Sequence, residues 1–302
     1  MFDLIVRNAR LATHDNLVDI AIKDAKIADI GANLSGEAGQ QIDAAGHLVS
    51  PPFVDAHFHM DATLTYGQPR VNASGTLLEG IALWAELKPT LSVEEIKARA
   101  LRFCRWSIAR GTLAIRSHVD ISDSRLLAVE ALLEVRKEIK PWLDLQLVAF
   151  PQDGFLRLPT ARDNLLKALD MGVDVVGGIP HFERTMADGA QSVTELCEIA
   201  AERGLLVDMH CDESDDPMSR HIETLARETQ RLGLNGRVSG SHLTSMHSMD
   251  NYYVSKLMPL MLEADIHAIA NPLINITLQG RHDSYPKRRG MTRVKELMAF
   301  GI

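Results

Sequence analysis

From residue 53 onward, short apolar runs alternate with longer stretches of helical periodicity. The runs cover residues 53–55, 113–119, 143–150, 173–179, 205–209, 238–241 and 266–270. Between them, apolar positions recur at helical spacing in 92–109, 161–171, 193–203, 218–232 and 252–264. Ser92 and Glu95 form the sequence pattern of a capping box, and Gly111, Gly172, Gly204 and Gly233 close helical stretches. Near-continuous apolar strands between helices predict parallel pairing with both faces covered. Seven such units over about 250 residues predict a (β/α)8 barrel of the TIM type rather than an open sheet. A last helical stretch begins near Thr292 and runs to Ile302, where an eighth strand is due. The expected architecture is therefore α/β, a barrel of strands 1–7 over residues 51–302 with strand 8 lacking and two strand edges left open.

Residues 1–50 read differently. Short strands at 4–6, 19–22 and 26–30 are separated by polar turns such as Lys23-Asp24-Ala25. They predict part of a small β-sandwich, incomplete because so few residues bury little apolar surface on their own.

Composition narrows the function classes. Forty acidic against thirty-two basic residues give a net charge of −8, which offers no basic surplus for nucleic acid. No run approaches the length of a membrane span, and the N-terminus lacks the pattern of a signal peptide. Cys104, Cys197 and Cys211 are widely spaced and form no CxxC pair, so a reducing cytoplasm is the expected location.

Chemistry in such a barrel sits at the C-terminal ends of the strands. The first strand ends in His57-Phe58-His59, whose two imidazoles lie two residues apart and point to the same side. Later strand ends bring His118, Gln152, His181, His210 with Glu213, His242 and Asn271. His57, His59 and His210 supply three nitrogen ligands for one zinc or ferrous ion, leaving a position for water. No lysine stands at the end of strand 3 or 4, so a single metal is expected. Glu213 falls in the loop past strand 5, placed to carry protons between that water and a leaving nitrogen. His118 and His181 either line the pocket or brace it.

The pattern of HxH on strand 1 with a histidine on each of strands 5 and 6 resembles the amidohydrolase superfamily. Within it the chain is similar to the bacterial cytosine deaminases. The likeness rests on Pro51-Pro52-Phe53-Val54, Gln68-Pro69, Ser74–Leu77, Ser117–Asp120, Val148–Gln152 and Ile179–Glu183. It continues through His210–Glu213, Ser241-His242, Met246–Ser248 and the run from Asn271 to Gly290. The resemblance implies one divalent metal, Fe2+ or Zn2+, on His57, His59, His210 and an aspartate of strand 8. It implies that Gln152 and the backbone of Leu77 hold the amide edge of a pyrimidine. Glu213 would pass a proton to the ring nitrogen, and His242 would face the activated water and the developing charge. The implied reaction is hydrolytic deamination of cytosine to uracil and ammonia by a metal-activated water.

Family members continue past Ile302 with strand 8 and a His-Asp-Asp segment. A chain of these 302 residues alone is expected to fold poorly and turn over little; the reading is an incomplete sequence of an active enzyme, or a gene fragment. Isoguanine, creatinine or a triazine are alternative rings, since scaffold does not fix substrate. The other alternative is a non-catalytic metal-binding fragment. The apolar and arginine-rich segment 273–289 is expected to lie exposed and to support a homo-oligomer.

Overall fold

Two sheets account for all eleven strands of the computed structural model, which describes residues 1–302. The chain divides into units of residues 1–53 and 54–302. In the first, β1 (Phe2–Ala9), β2 (Val18–Lys23), β3 (Lys26–Gly31) and β4 (Ala38–Asp43) form a sheet in the order β3-β2-β1-β4. β1 pairs antiparallel to β2 and parallel to β4. The strand that sequence reading overlooks is β4. Its residues, Ala-Gly-Gln-Gln-Ile-Asp, are mostly exposed, so no apolar alternation marks it.

The second unit is a nearly closed parallel barrel. Its strands are β5 (Phe53–Phe58), β6 (Thr112–Asp120), β7 (Asp144–Phe150), β8 (Val175–Gly178), β9 (Leu206–Cys211), β10 (Val238–His242) and β11 (Ile266–Ile269). Each neighbours the next in chain order, as in a run of successive βαβ units. The outer helices are α1 (Leu77–Leu87), α2 (Val93–Ile108), α3 (Leu127–Ile139), α4 (Ala161–Asp170), α5 (Met186–Arg203), α6 (His221–Leu232) and α7 (Asn251–Glu263). Two short helices follow, α8 (Pro272–Leu278) and α9 (Val294–Phe300). No helix is long and apolar enough to cross a membrane.

The core lies between strands and helices, where Leu132, Leu147, Leu165, Val176, Leu196, Val207 and Met209 are buried. Leu165→Ala is expected to destabilise the barrel by about 2–5 kcal/mol through lost transfer energy and a residual cavity. Chemical denaturation checks this; an unchanged midpoint would mean that α4 does not seal the core.

The capping box at α2 is present, with Ser92 and Glu95 bonding reciprocally. Other helix starts depart from their sequence-based bounds for tertiary reasons. α5 begins at Met186 rather than 193, capped by Thr185, and runs through Gly189. A Cβ at Gly189 would stand 2.2 Å from His221 Nε2 and 2.6 Å from the Pro180 carbonyl. The position is glycine because two elements close on it. α6 starts at His221 rather than 218 because the buried Asp212 carboxylate accepts the N–H groups of His221 and Ile222.

Candidate active site

The C-terminal ends of β5, β6, β9 and β10 converge on one cluster of imidazoles. His57 lies within β5 and His59 just beyond it; His118 is on β6, His210 on β9 and His242 closes β10. His59 Nε2 is 2.9 Å from His210 Nε2, and His242 Nε2 is 3.1 Å from His57 Nε2. One nitrogen from each of His57, His59, His118 and His210 lies within 4.8 Å of all the others. His242 sits on a strained stretch of backbone that its neighbours hold in place. Its φ is 74° and that of Leu243 is 51°, left-handed values rare for bulky residues. The Leu243 N–H donates to the Cys211 carbonyl, and Thr292 Oγ1 donates to the His242 carbonyl.

A buried polar layer supports these rings. Asp208 on β9 accepts Ser241 Oγ at 2.8 Å and Arg116 at 2.9 Å. Ser241 Oγ in turn lies 3.0 Å from His57 Nδ1. Burial opposes charge on Asp208, but His118 and Arg116 beside it hold its carboxyl below the usual range. His181, in the turn after β8, reaches the His210 carbonyl through Nδ1 at 3.0 Å. It therefore braces the backbone of the cluster.

Glu213 follows β9 in a loop and is buried. Its Oε1 lies 3.1 Å from His242 Nδ1. Burial pushes its carboxyl up to about 8, and burial likewise holds His242 well below the ordinary imidazole range. Both shifts favour the neutral forms. Asn275 of α8 completes a triangle, its Nδ2 being 3.1 Å from both Glu213 Oε1 and His242 Nδ1. A cavity of about 840 Å³ opens over the cluster, lined among others by His57, His59, Gln152, His210, Glu213 and His242. Leu77, the first residue of α1, and Trp84 form part of its wall. The N–H at a first helical position has no intrahelical acceptor and is available to a ligand. A larger cavity, about 1020 Å³, lies around the other ends of the strands and lacks this imidazole cluster.

Residues 40–302 match the Amidohydrolase family. The chain belongs to that family. N-isopropylammelide isopropyl amidohydrolase of Pseudomonas sp. (strain ADP) is 36% identical over 265 residues, covering 86% of this chain and 65% of its own length. Pterin deaminase of Rhizobium rhizogenes is 28% identical over 289 residues, 94% of this chain and 65% of its own. The chain thus spans just under two thirds of these relatives. The crystal structure of 5-methylcytosine deaminase from Klebsiella pneumoniae with 5-fluorocytosine superposes with a TM-score of 0.95 at 46% identity, covering 99% of this chain and 73% of that one.

An amidohydrolase of this kind implies a divalent ion, and the residues present fit one. Burial holds His57 and His210 well below the ordinary imidazole range and His59 at about 3, so their lone pairs are kept free of protons. Both ring nitrogens of His118 and Nδ1 of His210 are buried without a hydrogen-bond partner, Asp208 Oδ1 standing 3.6 Å from His118 Nε2, beyond hydrogen-bond reach. Such a concentration of unpaired imidazole nitrogen is costly unless something binds it. His118 thus belongs to the cluster itself, a membership that sequence reading leaves open.

Segment 273–289 is only in part the exposed patch expected of it. Leu273 and Ile276 are exposed, but Asn275 is 1% exposed and Gln279 is buried. α8 turns one face to the site, and Asn275 carries no motif that would single it out. Asp208 stands at the end of the same strand as His210, but a lone acid two residues before a histidine has no pattern that assigns it a role. The alternation of side chains along β9 is the signal that relates it to His210.

Proposed function

We propose that this site carries out hydrolytic deamination of an aminopyrimidine, cytosine or its 5-methyl derivative. The observation that carries the reading is Glu213: a buried carboxyl beside His242, at the edge of a four-imidazole cluster, in a cavity that also holds Gln152. The 46% identity to a 5-methylcytosine deaminase supports the ring class.

His57, His59 and His210 would hold the ion, with His118 packed against them. When bound, that ion supplies the Lewis acidity that lets water act as a nucleophile near neutral pH. The remaining work falls to the protein. Gln152 offers a donor and an acceptor in one plane, matching the N–H and carbonyl edge of the ring. The Leu77 N–H adds a second donor at the cavity wall. Glu213, neutral below about pH 8, gives its proton to the ring nitrogen beside the amino-bearing carbon. That carbon becomes more electrophilic as a result. His242 faces the attacked carbon and stabilises the charge that develops there. Water adds, the amino group takes a proton and leaves as ammonia, and the keto product remains.

A triazine ring is the second reading. The 36% identical relative supports it, as does a cavity of about 840 Å³, which exceeds the size of one pyrimidine. The deciding experiment supplies cytosine, 5-methylcytosine and N-isopropylammelide to metal-loaded protein and follows ammonia and alkylamine release. Ammonia with uracil or thymine supports the first reading, and isopropylamine supports the second. Stoichiometric metal with neither product would mean a non-catalytic metal-binding chain.

Gln152→Ala is expected to lower kcat/KM for cytosine by about 10–100-fold, the scale of one or two lost polar contacts to substrate. Metal content should stay unchanged. Loss of metal instead would show that Gln152 supports the cluster rather than the substrate. The three cysteines are buried thiols, in keeping with a proposed reducing compartment.

A further inference from the structure

A glycine is required where the backbone is left-handed or where a neighbour stands too close for a Cβ. Gly189 in α5 meets the second condition. Gly75, just ahead of α1, meets both, with φ at 68° and a Cβ position 2.9 Å from Arg281 Cζ. Gly80, inside α1, meets neither. Its N–H donates to the Thr76 carbonyl at 3.2 Å, as the helix asks. Beyond its own helix, a Cβ there would meet only Asn72 Nδ2 at 3.7 Å, an ordinary van der Waals contact. Glycine is nevertheless among the least favourable helix residues, because ordering it costs the most backbone freedom. The packing of the protein on itself does not account for it.

The surroundings of Gly80 show what does. Leu77, Gly80, Ile81 and Trp84 share one face of α1, at spacings of three and four residues, and all four line the cavity of about 840 Å³. This stripe presents no free polar side-chain atom. Trp84 Nε1 donates to Asp120 Oδ2 at 2.7 Å, and Lys88 Nζ bridges that oxygen at 3.0 Å to Asp153 Oδ2 at 2.6 Å. The indole is thus tethered by its N–H and offers the cavity an apolar face. Asn72, also on the wall, turns its amide to its own loop, Nδ2 donating to the Thr76 carbonyl at 3.0 Å and Oδ1 accepting the Gly75 N–H at 2.8 Å.

We infer that Gly80 is a specificity-determining residue: its missing side chain leaves a recess that takes an alkyl group on carbon 5 of the substrate ring. Ile81 and Trp84 form the sides of that recess. The inference deepens the proposed deamination and rests on it for where the ring lies. Gln152 and the Leu77 N–H hold the amide edge, Glu213 meets the ring nitrogen, and His242 faces the amino-bearing carbon. Every polar atom of the aminopyrimidine is then committed. The edge of carbons 5 and 6 carries only C–H and suits an apolar wall, where polar groups would lie unpaired. A methyl on carbon 5 fills space that a side chain at position 80 would occupy.

Gly80→Ala, in the zinc-loaded full chain, tests this. The kcat/KM for 5-methylcytosine is expected to fall by about 10–100-fold and that for cytosine by no more than about 2-fold, the scale on which an apolar pocket separates rings differing by one methyl. The thermal midpoint should rise by about 2 °C, since alanine fits the site and favours the helix. Equal losses for the two rings, or no loss, would overturn the recess. A lowered midpoint would overturn it as well, by showing that packing demands the glycine. Should the parent chain turn over neither ring, the deaminase reading falls and calorimetric binding of the two rings decides the recess. A preference for 5-methylcytosine that alanine abolishes upholds it; equal affinities, or no binding of either ring, overturn it.

Discussion

His210→Ala is expected to leave the chain folded but unable to retain a divalent ion, with the proposed deamination reduced by about 10³-fold or more. Lewis-acid assistance is worth several kcal/mol, and each ~1.4 kcal/mol is a factor of ten in rate. His210 sits at the centre of the cluster. Its Nε2 is 2.9 Å from that of His59, and its ring centroid lies 4.5 Å from those of both His57 and His118. Truncating it removes one nitrogen from a set that lies within 4.8 Å. Elemental analysis of the purified variant alongside ammonia release checks this. Full metal occupancy with normal turnover would show that the ion and the chemistry lie elsewhere. The larger cavity near Arg116 and His267 would then be the place to look.

Glu213→Gln should cost about 10²–10⁴-fold in kcat, the usual worth of a positioned proton donor. Its pH dependence is the sharper signature. Burial raises this carboxyl to about 8, so it is neutral and able to donate below that pH and ionised above it. Activity should therefore fall as pH rises through about 8. Glutamine keeps the shape and a hydrogen-bond donor but has no proton to give, so the variant should lose that limb while retaining its metal. A basic limb that persists unchanged in the glutamine variant would assign it to another group.

The fold is legible in the sequence where local pattern and tertiary structure agree. The runs at 113–119, 143–150 and 238–241 match β6, β7 and β10 within one or two residues, although only β7 is apolar along most of its length. β4 escaped notice because its exposed face asks for no apolar residue. α1 and α3 also went unmarked. α1 lies against the cavity wall, so its pattern answers to the site as well as to the core. α3 begins after Leu126, a left-handed residue with no side-chain cap, so no start signal precedes it.

The candidate site divides in the same way. Strand periodicity alone places His57 and His59 together, and the barrel rule gathers His210, His242, Gln152 and Glu213 at one end. None of this fixes a distance. Asn275 comes from a short helix after β11, sixty-two residues from the Glu213 it contacts. The Asp208–Ser241–His57 connection spans 184 residues between its last two members. Sequence by itself determined the layered order of strands and helices and the kinds of groups at the strand ends, since periodicity and residue chemistry are local properties. Only the tertiary structure decided which nitrogen faces which, that burial raises the Glu213 carboxyl, and that an asparagine touches both it and His242. Those properties depend on burial and on separations of a few ångströms between residues far apart in the chain, which no local pattern encodes.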